Sequence, residues 1–399
     1  MIIREKYLSK IRPFYDQDLI KVIMEVRRCC KSVILLQIID ELKAKRIPDS
    51  QIIYINFEYA DFSFIQNDKD LHNYIKNLIV NDDKYYLFFD EIQNVEHWEK
   101  AVNSFKASKN VSIFITGSNS DLLSGELATH IAGRYVSFKT FPFTFKEVCK
   151  LKNLTMQSDI EKAFDDYITW GGLPQRFMLT DEMQTKTYLS DVYDSILLKD
   201  IVNRFNIKDI DLFNRIVEYI VTTPSQNFSA DNLANYFANK DNREVSKNTL
   251  YNYLDYMSKA MLINKADRYD VRGKRILTGK YKYYLTDLGF GQIMSIWKRP
   301  QLGAYLENIV YNELLSRGYN VKVSNLDNGE IDFIATNFDE KIYIQVAYIL
   351  ADEAVVEREF GAFKSIQDNY PKYVLTLDKF DFSHDGIIHK NVIDWLLEK

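Results

Sequence analysis

The 399 residues carry a formal net charge of −5, which excludes a uniformly basic nucleic-acid binder while leaving room for a local basic patch. The chain is 46% hydrophobic and 27% charged, ordinary for a globular protein long enough for several domains. Cys29, Cys30 and Cys149 have no metal-ligand spacing, and no apolar stretch approaches the length of a membrane span.

The opening MIIREKYLSKIRPF bears charges throughout and lacks the apolar core of a leader, so a cytoplasmic compartment is expected. Leu19 to Val26 has the pattern of a buried strand, and Ser32 to Ile39 that of a buried helix. Between them lies Arg27-Arg28-Cys29-Cys30-Lys31-Ser32. A strand, a tight loop, Lys-Ser and a helix is the layout of a phosphate-binding loop. In such a loop the N–H groups of Arg27 to Cys30 and the helix N-terminus would cradle the phosphates of ATP. Lys31 would reach the outer phosphates, and Ser32 would hold Mg²⁺. The usual pattern has glycine at positions 25 and 30, where this chain has Glu25 and Cys30. A Cβ at 30 crowds the backbone approach to phosphate, and a carboxylate at 25 adds negative charge beside an anion.

Further strands are expected at Gln51–Phe57, Lys84–Asp90, Val111–Thr116 and Arg134–Lys139. Strands alternating with helical segments predict βαβ units and a mostly parallel sheet. The run Leu87-Phe88-Phe89-Asp90-Glu91 suits a Walker B element. Asp90 would hold Mg²⁺ through water, and Glu91 would orient or deprotonate the attacking water. The next strand runs into Ser118 and Asn119, small polar side chains suited to sensing the γ-phosphate. These strand ends share the carboxyl edge of one sheet, where α/β ligand sites form.

With these motifs the chain resembles the prokaryotic AAA-type ATPases that carry a C-terminal domain of unknown function. Their loop, G-x-R-R-x-G-K-S, is matched at Arg27, Arg28, Lys31 and Ser32 and departed from at Glu25 and Cys30. Also similar are LFFDEIQ (87–93), ITGSNS (115–120), LLSGELATHIAGRY (122–135), FPFTFKE (141–147), GGLP (171–174) and SILLKDI (195–201). The resemblance implies an ATPase core over 1–145 and a helical lid over 146–205. It also implies a trans-acting or sensor role for Arg134 and a place over the adenine for Pro174.

From Asp209 the pattern changes. Ile210–Val221, Ser229–Phe237 and Ser246–Met261 are expected helices, the second turning Leu233, Tyr236 and Phe237 inward. Ile263–Tyr269 and Arg275–Leu285, joined at Gly273, predict a hairpin, so 206–297 reads as a winged helix-turn-helix. Lys265, Arg268, Arg272, Lys274, Arg275, Lys280 and Lys282 against Asp267 and Asp270 give the hairpin a local charge of +5. Such a wing either contacts DNA phosphates or packs against the rest of the protein.

The last segment, 298–399, has a helix at Tyr305–Leu315 and strands at Val321–Val323, Ile331–Ala335 and Lys341–Ala347. This order resembles the restriction-endonuclease-like fold. Glu307 and Asp332 match the acids that bind Mg²⁺ in active members, but Gln345 replaces an acid and Ala347 a lysine. A neutral amide is a poor Mg²⁺ ligand, so a nuclease scaffold without cleavage is expected. The whole predicts an α/β protein of AAA type that binds ATP and Mg²⁺ and drives rearrangement of a DNA- or protein-bound assembly, with a protein partner or homo-oligomer and no membrane. The alternatives are a non-hydrolysing interaction scaffold and a DNA-cleaving enzyme.

Overall fold

A computed structural model describes residues 2–25, 28–29, 31–118, 131, 133–270, 275–294, 301–325, 330–338 and 340–398. The chain forms two compact units, Met1–Phe141 and Pro142–Lys399.

The first unit runs α1 (Glu5–Ile11), β1 (Ile20–Glu25), α2 (Lys31–Ala44), β2 (Ile52–Asn56), α3 (Asp68–Leu78), β3 (Tyr85–Asp90), α4 (Trp98–Ser108), β4 (Val111–Ser118) and β5 (Tyr135–Thr140). The strands form one parallel sheet in the order β2-β3-β4-β1-β5. β1 and β3 are buried at every residue, which explains why they read as apolar runs rather than alternating patterns. On one face α1 and α2 bring Leu8, Ile11, Ile34 and Ile38 against Ile23, Phe88 and Phe114. Phe88 and Phe114 stack at 4.6 Å across β3 and β4. The helix α1 was not legible in the sequence. It begins after Arg4, whose buried guanidinium donates from Nη1 and Nη2 to the Phe141 carbonyl, both at 3.1 Å. The parallel register places Glu25 beside Ser118, with Asp90 ending the strand on the far side of β4. Three expected site elements therefore finish on one edge.

The second unit opens with helices α5 (Phe145–Leu151), α6 (Gln157–Trp170) and α7 (Glu182–Ser195), the last continuing as a π-helical segment over Ile196–Asn203. There follow α8 (Ile210–Thr222), β6 (Asn227–Phe228), α9 (Ala230–Asp241), α10 (Lys247–Lys259), β7 (Ile263–Asp270) and β8 (Arg275–Leu285). Ser229 and Ser246 cap α9 and α10 through their side chains. Tyr236 is a correction: it is 48% exposed, because the inward stripe of α9 is Ala230, Leu233 and Phe237. Then come α11 (Gly289–Met294), α12 (Leu302–Arg317), β9 (Asn320–Asn325), β10 (Phe333–Asn337), β11 (Glu340–Val346), α13 (Glu353–Gly361), β12 (Lys372–Thr376), β13 (Ile388–Asn391) and α14 (Val392–Leu397).

Among the described residues the eight strands of this unit belong to one sheet, ordered β13-β12-β11-β10-β9-β7-β8-β6. The join is a parallel pairing of β7 with β9, Arg268 opposite Val323. The hairpin and the C-terminal strands are thus continuous, a non-local pairing that no local pattern announces. The GGLP run is also explained here. Buried Asp287 accepts from the N–H groups of Gly172 at 2.7 Å and Gly289 at 2.9 Å. Gly171 has φ +74°, and a Cβ there would fall 1.8 Å from Asp287 Oδ1, so this position requires glycine.

Candidate nucleotide site

The strand β1 delivers Glu25 to the carboxyl edge, and α2 begins six residues later at Lys31. The first amides of a helix have no partner within it. Here the Lys31 N–H donates to Glu25 Oε2 at 2.5 Å. The Lys31 ammonium lies 3.8 Å from Glu25 Oε1 and 2.6 Å from Glu91 Oε1. Burial alone would lower the Lys31 pKa, but Glu25 and Glu91 outweigh it and hold the ammonium above its ordinary value. Glu25 is 6% exposed; burial pushes its carboxyl up to about 7 against the opposing pull of Lys31.

At the end of β3, Asp90 is fully buried. Its Oδ2 accepts from Tyr54 Oη at 3.0 Å and Asn56 Nδ2 at 3.3 Å. Its Oδ1 accepts from Thr116 Oγ1 on β4. Thr116 Oγ1 in turn accepts from the Glu91 N–H at 3.1 Å, so one hydroxyl fixes both acids. Three donors leave one of the roughly four lone-pair sites of the Asp90 carboxylate. That remaining site and the half-buried Ser32 hydroxyl on the first turn of α2 are hard oxygen donors that fit Mg²⁺. Among the described residues no group of three His, Cys, Asp or Glu could hold a metal. Glu91 has φ 55° and Arg28 φ 67°, left-handed backbone in non-glycine residues, of the kind that gathers at functional sites. Tyr54 and Asn56 were missed by sequence reading, since each sits inside an ordinary-looking strand.

The expected residues do not all converge. Lys31, Asp90 and Glu91 are linked as above. Arg28 is exposed, and Cys29 is buried with its carbonyl accepting from Arg4 Nη1 at 3.4 Å. Ser118 ends β4; Arg27, Cys30 and Asn119 lie outside the described residues. Pro174 belongs to the second unit and is buried at the start of a 3-10 turn. For Arg134 the sensor half of the expectation is corrected and the trans-acting half is untouched. The Arg134 carbonyl accepts from the N–H of Ile20, the first residue of β1, so it stands at the amino edge. The six residues of β1 put roughly 17 Å of strand between it and Glu25, and a sensor role within its own site does not fit. It is exposed and donates to Asn103 Oδ1 at 3.4 Å.

In the second unit, Glu307 on α12 and Asp332 before β10 do meet, but around a lysine. Lys282 Nζ lies 3.0 Å from Glu307 Oε1, 3.0 Å from Glu330 Oε1 and 3.9 Å from Asp332 Oδ1. Tyr284 Oη donates to Glu307 Oε1 at 2.7 Å, and the Val346 N–H to Asp332 Oδ2 at 2.8 Å. Burial raises the pKa of Glu307 and of Asp332, and Lys282 opposes both shifts. Gln345 accepts from the Asp332 N–H at 3.2 Å and donates to Glu359 Oε2 at 2.7 Å. Two of the seven wing cations turn inward. Lys282 is 5% and Arg268 6% exposed, Arg268 pairing with Glu330 at 3.4 Å, so both face carboxylates of their own unit. Lys265 is exposed, with its ammonium 3.6 Å from the Tyr281 ring centroid. Arg272 and Lys274 lie outside the described residues, as does the side chain of Arg275.

An AAA-domain family model matches residues 17–149, and a model of a domain of unknown function, DUF8612, matches 161–301. An uncharacterized protein of Haemophilus influenzae is 39% identical over 401 residues, spanning 100% of this chain and 99% of its own. An uncharacterized protein of Methanocaldococcus jannaschii is 36% identical over 363 residues, spanning 88% of this chain and 79% of its own. Among solved structures, a Walker-type ATPase of Pyrococcus abyssi is similar with a TM-score of 0.50 at 14% identity, over 74% of this chain and 96% of that one. At that identity the likeness concerns the fold alone.

Proposed function

This chain belongs to the family of prokaryotic AAA-type ATPases that carry a further domain of unknown function, and on that premise we propose that it binds MgATP at the carboxyl edge of its parallel sheet and hydrolyses it. The carrying observation is the Lys31–Glu91 ion pair at 2.6 Å. It joins the cation that opens α2 to the acid that follows Asp90. A compact ammonium at a helix N-terminus suits the outer phosphates. Ser32 and Asp90 would hold Mg²⁺, which would neutralise charge on the phosphates. With Lys31 drawn to phosphate, Glu91 loses that partner and keeps its bond from Gln93 Nε2 at 2.5 Å. Its free carboxylate oxygen can then accept the proton of an attacking water.

The second unit supplies the output of this reading. Its three helices and hairpin, α8-β6-α9-α10-β7-β8, have the order of a winged helix. The run from α12 through β12 has that of a restriction-nuclease-like core, with a lysine among its acids. Nucleotide turnover driving rearrangement of a bound assembly is the function these parts support. The test is release of phosphate from MgATP by the purified chain. Turnover lost in Glu91→Gln supports the reading, and turnover unchanged in that variant contradicts it.

A further inference from the structure

The Glu25 carboxylate stands where the family loop has glycine, and it makes the contacts a phosphate group would make. It accepts the Lys31 N–H, the first amide of α2, and lies 3.8 Å from the Lys31 ammonium. It does so at 6% exposure, without the water that normally solvates a carboxylate. Among the described residues the groups acting on it are Lys31 of α2 and two further acids, Asp90 and Glu91 at the end of β3. An incoming polyphosphate therefore meets a seat already filled by a carboxyl group.

We propose that Glu25 is a built-in occupant of the phosphate seat, a carboxylate that holds the start of α2 and its lysine until a nucleotide phosphate displaces it. The proposal rests on the nucleotide-binding reading above and deepens it: the resting site is self-inhibited, and Glu25 sets the threshold for nucleotide entry. Glycine at this position would leave the amide unpaired and ready for phosphate. Glutamate satisfies the amide, so the same donor must change partners when nucleotide binds. At 6% exposure the internal contact is formed against the desolvation cost of a buried carboxyl.

The experiment is isothermal titration of the full chain with MgATP, and separately with inorganic pyrophosphate. The native protein is compared with Glu25→Gln, Glu25→Gly and Lys31→Ala, each checked for folding by circular dichroism. Glu25→Gln keeps the shape and removes the charge. Exchanging a charge-assisted hydrogen bond for a neutral one predicts affinity about ten- to a hundredfold tighter for both ligands. Glu25→Gly should tighten binding as well, and Lys31→Ala should abolish it. Binding by Glu25→Gln and Glu25→Gly that equals or falls below the native level, with Lys31→Ala still inactive, overturns the proposal and leaves the nucleotide reading standing. No binding by any of the four proteins overturns the reading itself, and the proposal with it.

Discussion

Lys31 Nζ lies 2.6 Å from Glu91 Oε1, so the cation expected to meet phosphate and the acid expected to activate water hold one another. Opposite charges this close, at 11% and 14% side-chain exposure, are only weakly screened by solvent. Each group is thereby kept oriented toward the place where the other is needed.

Removing that acid should separate chemistry from binding. Glu91→Gln retains the shape and the Gln93 neighbour but loses the base. Turnover should fall by about 10²- to 10⁴-fold, the usual contribution of a positioned general base. MgATP affinity should hold or rise, because Lys31 no longer has Glu91 as a counter-charge. Phosphate release in parallel with calorimetric titration checks both halves. A loss of affinity in step with turnover would count against the assignment.

Glu25 makes a stability prediction with a defined sign. Its folded pKa of about 7 lies above its ordinary value of 4.5. The folded state therefore holds a proton that the unfolded state has released across that window, and stability falls as pH rises through it. Below 4.5 the effect is absent, since both states are protonated. The full shift corresponds to on the order of 3 kcal/mol. Thermal denaturation should find Glu25→Gln more stable than the native chain at about pH 8 and no more stable at about pH 4. Equal stability of the two proteins at both pH values would contradict the buried, desolvated carboxylate.

Lys282 should behave as a clasp within the second unit. Lys282→Met leaves Glu307, Glu330 and Asp332 without their shared cation. Breaking a buried ion pair from one side costs about 3–5 kcal/mol. Adding Glu307→Gln should recover part of the loss, giving a non-additive double-mutant cycle by chemical denaturation. If the chain binds DNA through its wing, the salt dependence should be the same in Lys282→Met as in the native protein. A slope reduced by about 0.9, one phosphate contact, would place this lysine at the DNA instead.

The same arrangement predicts no metal-dependent cleavage. The place between Glu307 and Asp332 is taken by an ammonium, Gln345 contributes an amide to Glu359, and Ala347 has no charge. Incubation of duplex DNA with the protein and Mg²⁺ or Mn²⁺ should leave the DNA intact. Cleavage that disappears in Asp332→Ala would refute this.

What the sequence disclosed follows from locality. The strands β1, β3 and β4 are buried on both faces, so their apolar runs marked them and brought Glu25, Asp90 and Ser118 to one edge. The capped helices α9 and α10 announced themselves through Ser229 and Ser246. What stayed hidden depends on distant partners. Arg268 and Lys282 look like surface cations until β7 pairs with β9 and carries them beside Glu330, Glu307 and Asp332. Thr116 looks like a strand residue until parallel pairing sets it against Asp90. Arg134 was expected at the site through the family resemblance, as a sensor or trans-acting arginine, yet β5 runs parallel to β1 and starts at the opposite edge, which speaks against the sensor role. Glu25 was visible as a departure from glycine, but its bond to the Lys31 amide needed the loop to close.

The central claim is that Lys31 anchors a nucleotide through its phosphates. Titration of MgATP into the native chain and into Lys31→Ala, under identical conditions, tests it most directly. Saturable binding by the native protein that disappears in Lys31→Ala is the predicted result. Equal affinity in the two proteins would contradict it.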